Sequence, residues 1–97
     1  MGTNADSIRR NRVRELILEA LAPGHPNSLD LIVVQRHLSN FGQPVEMTAL
    51  ISYVAYLEEK GLVVTEKKGA GIIIVRITAK GLDVLDHRID EIGIGET

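Results

Sequence analysis

Apolar residues recur at helical spacing along much of this chain. Val13, Leu16, Ile17, Ala20 and Leu21 fall at i, i+3, i+4, i+7 and i+8, which predicts a first helix with one buried stripe. Asp6 or Ser7 can cap it, it ends near Leu21 or Ala22, and Met1 to Ala5 are read as a loose end. Pro23-Gly24-His25-Pro26-Asn27 is a turn cluster. After it, Ser28 is placed to cap a second helix with Asp30 in its first turn and Leu31, Val34 and Leu38 on its inner face. A strand competes for this segment, because Leu29 to Val34 is almost continuously apolar and Ile32-Val33-Val34 is β-branched. Length and flanks favour the helix, with Gly42 and Pro44 as its stop. A third helix begins between Val45 and Thr48, reaches Lys60, and turns Met47, Leu50, Ile51, Val54 and Leu57 inward.

The pattern then changes period. In Leu57-Glu58-Glu59-Lys60-Gly61-Leu62-Val63, Gly61 stands where a helix needs a left-handed residue after its last turn, and Lys60 puts positive charge at the negative end of the helix dipole. Val63, Val64 and Thr65 begin a strand at once, Lys67-Lys68-Gly69-Ala70-Gly71 forms a turn, and a second strand runs from Ile72 to Ile77. Thr78, in Ile77-Thr78-Ala79-Lys80-Gly81, is the N-cap of a last helix over 78–92. Helix end, hairpin and helix start in this order resemble the C-terminal half of winged-helix domains of the MarR, PadR and ArsR type. That resemblance implies an α+β, mostly α, winged helix-turn-helix: a three-helix core, a two-stranded wing and a C-terminal helix. The chain is also similar in size to small winged-helix proteins of prophages and mobile elements.

Composition fits one domain over 1–97, with 93–97 frayed like the N-terminus. Ninety-seven residues lie near the small end of what buries a self-sufficient core, so a core shared between two copies would help. With 44% hydrophobic residues, one Phe, two Tyr and no Trp, that core is aliphatic. The absence of cysteine excludes disulfides and thiolate chemistry, and no apolar run approaches the roughly 18–20 residues of a membrane span. A cytoplasmic location is expected. The net charge of −2 conceals an asymmetry: Met1 to Leu82 carries ten basic and eight acidic residues, a balance of +2, whereas Asp83 to Thr97 carries one base and five acids, a balance of −4. Such a chain can still bind nucleic acid if its bases are gathered on one face.

The third helix occupies the recognition-helix position of the resembled fold. With Leu50 and Val54 inward, Thr48, Ser52, Tyr56 and Glu59 lie nearly opposite, flanked by Ala49 and Ala55. The strongest base readers, Arg or Lys on guanine and Asn or Gln on adenine, do not occur in the helix before Lys60. Thr48 and Ser52 can hydrogen-bond to phosphates or base edges, Ala49 can meet a thymine methyl, and Tyr56 can reach the backbone; alternatively the face is solvated or packs on a partner. Arg9, Arg10, Arg12 and Arg14 crowd the positive end of the first helix dipole, which calls for an anion. DNA phosphate, the acidic residues Asp83, Asp86, Asp90 and Glu91, and screening by Glu15 and Glu19 all remain open.

Lys67 and Lys68 project from the hairpin turn, either as a solubilising pair or, as the resemblance implies, against the minor groove or its phosphates. Ile72-Ile73-Ile74-Val75 is apolar on both faces, so one face requires cover from beyond its own core. In the last helix Leu82, Leu85, Ile89 and Ile92 fall at i, i+3, i+7 and i+10, a narrow seam suited to a partner helix in a homodimer or to docking on its own domain. No cofactor or small-molecule ligand is legible. His25, His37 and His87 are far apart, no serine sits in a nucleophile elbow, and an enzyme is not expected. Two functions follow: a small dimeric winged-helix transcription regulator contacting double-stranded DNA through the third helix, wing tip and first-helix arginines, or a winged-helix protein-interaction module, such as a phage or mobile-element accessory protein.

Overall fold

The first helix does more packing than one stripe allows. The computed structural model describes residues 4–86 and Ile94, and in it α1 spans Asn4–Leu21, starting before the expected cap so that Asn4 and Ala5 are helical rather than loose. Val13, Leu16, Ile17 and Leu21 are buried as the spacing predicts, and so are Leu18 and Asn11. Ala20, placed on the stripe, is only half-buried. The buried arc is wide because α1 is central, touching the second, third and fourth helices and the sheet. Each fully buried leucine of this kind contributes roughly 1.5–3 kcal/mol.

A 3-10 turn over Ala22–Gly24 follows, and then the chain departs from the expected path. Leu29–Asp30 form a short strand, β1, before α2 covers Leu31–Asn40. The helix cap is therefore Asp30 and not Ser28: the Asp30 carboxylate accepts from the Ile32 N–H at 2.8 Å. The strand and helix readings of this segment both hold, for adjacent pieces of it. Leu31, Val34 and Leu38 are buried, and Gly42, at φ +78°, follows the helix end as expected.

Helix α3 covers Met47–Glu59, with Leu50, Val54 and Leu57 buried. Ile51, assigned to the inner stripe, is 43% exposed. It lies about 100° around the helix from Leu50, at the edge of the inward arc. Gly61 adopts φ +79°, the left-handed conformation that ends α3. Strand β2 is Val63–Lys68 and β3 is Ile72–Ile77. The sheet order is β1-β3-β2, antiparallel throughout, with Leu29 opposite Val75 on one side of β3 and Thr65 opposite it on the other.

Register answers the question of the over-apolar wing. Ile73, Val75 and Ile77 face the core, while the outer face sets Val64 opposite Arg76, Glu66 opposite Ile74, and Lys68 opposite Ile72. A charged side chain thus stands across from each outward apolar one, and its alkyl stem can shield it. The cover is partial, since Val64 and Ile72 remain 38% and 44% exposed. Helix α4 spans Ala79–Leu85, capped by Thr78, whose hydroxyl accepts from the Gly81 N–H at 3.1 Å and donates to the Gly61 carbonyl at 2.7 Å. Lys80 Nζ donates to the Lys60 carbonyl at 3.0 Å. These bonds tie the end of α3 to the start of α4 and fix where the hairpin leaves the domain. Leu82, Leu85 and Ile94 are half-buried against the core; Ile89 and Ile92 lie outside the described residues. Among the described residues no helix is long and apolar enough to cross a membrane.

Candidate functional site

Helical phase divides the arginines of α1. Arg10 and Arg14 are one turn apart, about 40° around the axis, and fall on the side of α1 that meets α3; Arg12 lies on the far side. Arg12 Nη1 accordingly contacts Glu15 at 2.6 Å and Glu19 at 3.5 Å. The hydrogen bond to Glu15 raises the Arg12 pKa, assisted by the charges of both glutamates and opposed by desolvation. For Arg12 the screening alternative is the one observed. Arg9 turns elsewhere: its Nε donates to Gln43 Oε1 at 2.9 Å and its Nη2 to the Pro44 carbonyl at 3.1 Å. Together with Gln35 Nε2, which donates to the Val45 carbonyl at 2.9 Å, it pins the α2–α3 loop.

Arg10 and Arg14 line a groove of about 390 Å³ with Ala49, Ser52, Tyr53 and Tyr56 of α3. Ala49 and Ser52 are exposed, whereas Tyr53, Tyr56 and Arg14 are half-buried. The Arg14 guanidinium carbon sits 3.7 Å from the Tyr56 ring centroid and 5.8 Å from that of Tyr53, and Lys60 Nζ is 5.2 Å from the Tyr56 ring. Arg14 Nη1 also donates to the buried Asn11 Oδ1 at 3.4 Å. A cation over a tyrosine face is attracted by the ring quadrupole, the more so where water is partly excluded. Ser52 Oγ makes a long bond, 3.5 Å, to the Thr48 carbonyl, and Arg10 Nη2 a similar one, 3.4 Å, to Ser7 Oγ. Both are weak enough to be exchanged for an anion.

The remaining predicted residues fall beside this groove or beyond it. Thr48 is exposed on the outer side of α3. Lys67 and Lys68 are exposed at the wing tip, with Lys68 Nζ 3.4 Å from Glu66. The turn that carries them takes positive φ at Ala70 (65°) and Gly71 (77°), not at Gly69. The wing root is held to α3 by Glu58, whose carboxylate accepts from Thr65 N at 3.1 Å and Thr65 Oγ1 at 2.9 Å. Tyr53 was not among the residues singled out from sequence, because it sits on the flank of α3 and becomes a lining residue only once α1 is packed beside it. The signal for Arg14 was available in the phase of α1 against its buried stripe. Among the described residues no group of three or more His, Cys, Asp or Glu is placed to hold a metal ion.

No protein-family model matches this chain, and no curated protein matches it either. Solved structures do. RosR of H. salinarum superposes with a TM-score of 0.67 over 78% of this chain and 67% of its own, at 19% identity. The structure of the hsRosR-S4 complex gives a TM-score of 0.67 over 88% of this chain and 74% of that one, at 20% identity. A PadR family transcriptional regulator from Eggerthella lenta DSM 2243 gives 0.62 over 87% and 74%, at 24% identity. Identities this low speak to fold. The chain has a winged-helix fold, α+β and mostly helical, shared with these proteins.

Proposed function

We propose that this chain is a small winged-helix DNA-binding protein acting as a transcription regulator, and that it holds duplex DNA more by its backbone than by its bases. The observation that carries this reading is the groove in which two arginines of α1 meet the exposed face of α3. In the proposed complex Thr48, Ala49 and Ser52 approach the major groove, Arg10 and Arg14 meet flanking phosphates, and Lys67 and Lys68 reach the adjacent backbone. Arg9 and Arg12 are not assigned to the interface, since Arg9 is bonded to Gln43 and Pro44 of the α2–α3 loop and Arg12 pairs with Glu15 and Glu19 on the side of α1 away from α3. The likeness of fold to a PadR family transcriptional regulator supports the same class of function. Residues 47–59 contain no Arg, Lys, Asn or Gln, so strong bidentate base contacts have no source in α3 itself.

The test is fluorescence anisotropy of a mixed-sequence duplex at several salt concentrations. The expected result is micromolar or tighter binding at low salt with a steep inverse dependence on salt. No binding at low salt refutes it. The proposal extends to a homodimer in which α1 and α4 of two copies pack together, and a monomeric mass by light scattering at tens of micromolar refutes that part. A second reading, a protein-interaction module, is favoured by the exposed apolar side chains Ile32, Val33 and Ile51 of α2 and α3. The same titration separates the two.

A further inference from the structure

We propose that Glu58 is a positioning residue that fixes where the wing lysines stand relative to α3, and so lets α3 and Lys67 and Lys68 engage one duplex together; the proposal rests on the DNA-binding reading above. Strand β2 is an edge of the sheet, because β3 pairs with it on one side and with β1 on the other. Successive residues of an edge strand aim their backbone donors alternately toward the neighbouring strand and away from it. The Thr65 N–H points away, toward α3. There Glu58 Oε2 accepts it at 3.1 Å, while Oε1 accepts the Thr65 hydroxyl at 2.9 Å. One residue thus engages both carboxylate oxygens, and two parallel bonds to a charged acceptor fix direction as well as distance.

This contact falls close to where the body of the domain lets go of the hairpin. Thr65 stands opposite Val75, and Val75 opposite Leu29 of β1; one rung further out Asp30 meets Ile74 and β1 ends. From Lys67 to Ile73 the strands pair only with each other. Strand β1 therefore holds the β3 edge of the wing, and Glu58 is the matching hold on the β2 edge. Lys68 lies three residues beyond Thr65, about 10 Å along the strand, so a small tilt at the root is enlarged at the tip. Phase puts Glu58 about 160° around α3 from Tyr56, on the flank away from the groove of Arg10 and Arg14. One flank of α3 carries the groove and the other carries the wing. Glu59 is the natural contrast: it has the same charge one residue later, is exposed, and makes no bond to the wing.

The experiment is a set of anisotropy titrations of a mixed-sequence duplex between about 50 and 200 mM salt, with K67A/K68A introduced into wild type, E58Q, T65V, T65S and E59Q. Thermal melts confirm that each variant is folded at the assay temperature. In wild type the paired lysine change should flatten the slope of log K against log salt by about 1.8, two phosphate contacts at about 0.9 each. T65S keeps both donors and E59Q removes a charge without touching the wing, so both should retain that full effect. In E58Q it should fall below half, and in T65V, which keeps the net charge but loses the hydroxyl, it should be intermediate. A general loss of stability would not remove the contribution of the lysines selectively. In the free protein, amide exchange of Thr65 should run several-fold faster in E58Q while that of Lys67, the next donor on the same edge, stays unchanged. A lysine effect equally large in E58Q and wild type overturns the positioning role, and so does Thr65 exchange that E58Q leaves unaltered. Wild-type binding with no lysine effect overturns it as well, since the wing would then have no contact to position. Absence of wild-type binding at the lowest salt overturns the DNA-binding reading, and this role with it.

Discussion

Replacing Gly81 by alanine sets two tendencies against each other, and the structure decides between them. Gly81 lies in the first turn of α4, where helix propensity alone predicts that alanine stabilises by about 1 kcal/mol. A Cβ at this position, however, would lie 2.4 Å from the Leu62 carbonyl oxygen, 2.6 Å from Ile77 Cγ1 and 3.2 Å from Ile77 Cδ1. The Ile77 side chain can rotate in part. Leu62 O cannot, because it is backbone and accepts from the Thr78 N–H at 3.0 Å, so relief requires either breaking that bond or lifting α4 off the sheet. Overpacking typically costs about 1–3 kcal/mol, and contact with fixed backbone belongs at the upper end. The net expectation is a loss of about 2 kcal/mol, which for a domain of this size lowers Tm by roughly 8–16 °C. Thermal and urea melts followed by circular dichroism measure it. A Tm equal to or above wild type would mean that propensity wins and that α4 does not approach Leu62 this closely in solution.

Two other backbone substitutions have signs that the geometry sets. Gly61→Ala has space around its Cβ, with only Lys80 Cδ at 3.9 Å, but at φ +79° it should cost about 1 kcal/mol, and Gly61→Asn, better suited to this conformation, noticeably less; melts of the pair that rank them the other way would refute the account. At the wing tip Ala70 holds φ 65°, and Ala70→Gly should relieve about 1–2 kcal/mol of strain while adding about 0.4–1 kcal/mol of unfolded-state entropy, so Tm should rise by a few degrees and not fall.

Local chemistry made much of this fold legible. Gly61, Gly42 and the Thr78 cap act within a few residues of themselves, and Leu31, Val34 and Leu38 need only the helical period to be placed. What escaped depended on distant chain. Strand β1 is two residues long and exists because Leu29 and Asp30 meet Val75 and Ile74, some 45 positions away, and that pairing moves the α2 cap from Ser28 to Asp30. Leu18 is buried because α1 has neighbours on several sides, which no single stripe of residues can announce. Ile51 failed in the opposite direction, for its spacing admits it to the core and its neighbours do not cover it. The candidate site was legible as a list of residue types and not as an arrangement: Thr48, Ala49, Ser52 and Tyr56 follow from the phase of α3, while the groove that the last three share with Arg10 and Arg14 needs the packing of α1.

The division of the four arginines bears on how a nearly neutral body could hold a polyanion. Counting residues from Met1 to Leu82 gives ten bases against eight acids, a balance too small to attract DNA by net charge. Position matters more than the sum. Arg12 is neutralised by Glu15 and Glu19 and Arg9 is committed to the α2–α3 loop. Arg10 and Arg14 line the groove, Arg14 while bonded to Asn11 and stacked on Tyr56, and Lys67 and Lys68 stand at the wing tip beyond a strand whose root Glu58 ties to α3. A few cations held at the margins of a small, polar helix face favour contacts to the sugar-phosphate backbone at fixed spacing. In the proposed complex such a surface would select DNA by groove width and deformability, because those set whether the phosphates reach both margins at once. Any sequence preference should therefore follow duplex shape, and single-base changes under α3 should matter less than changes that alter groove width.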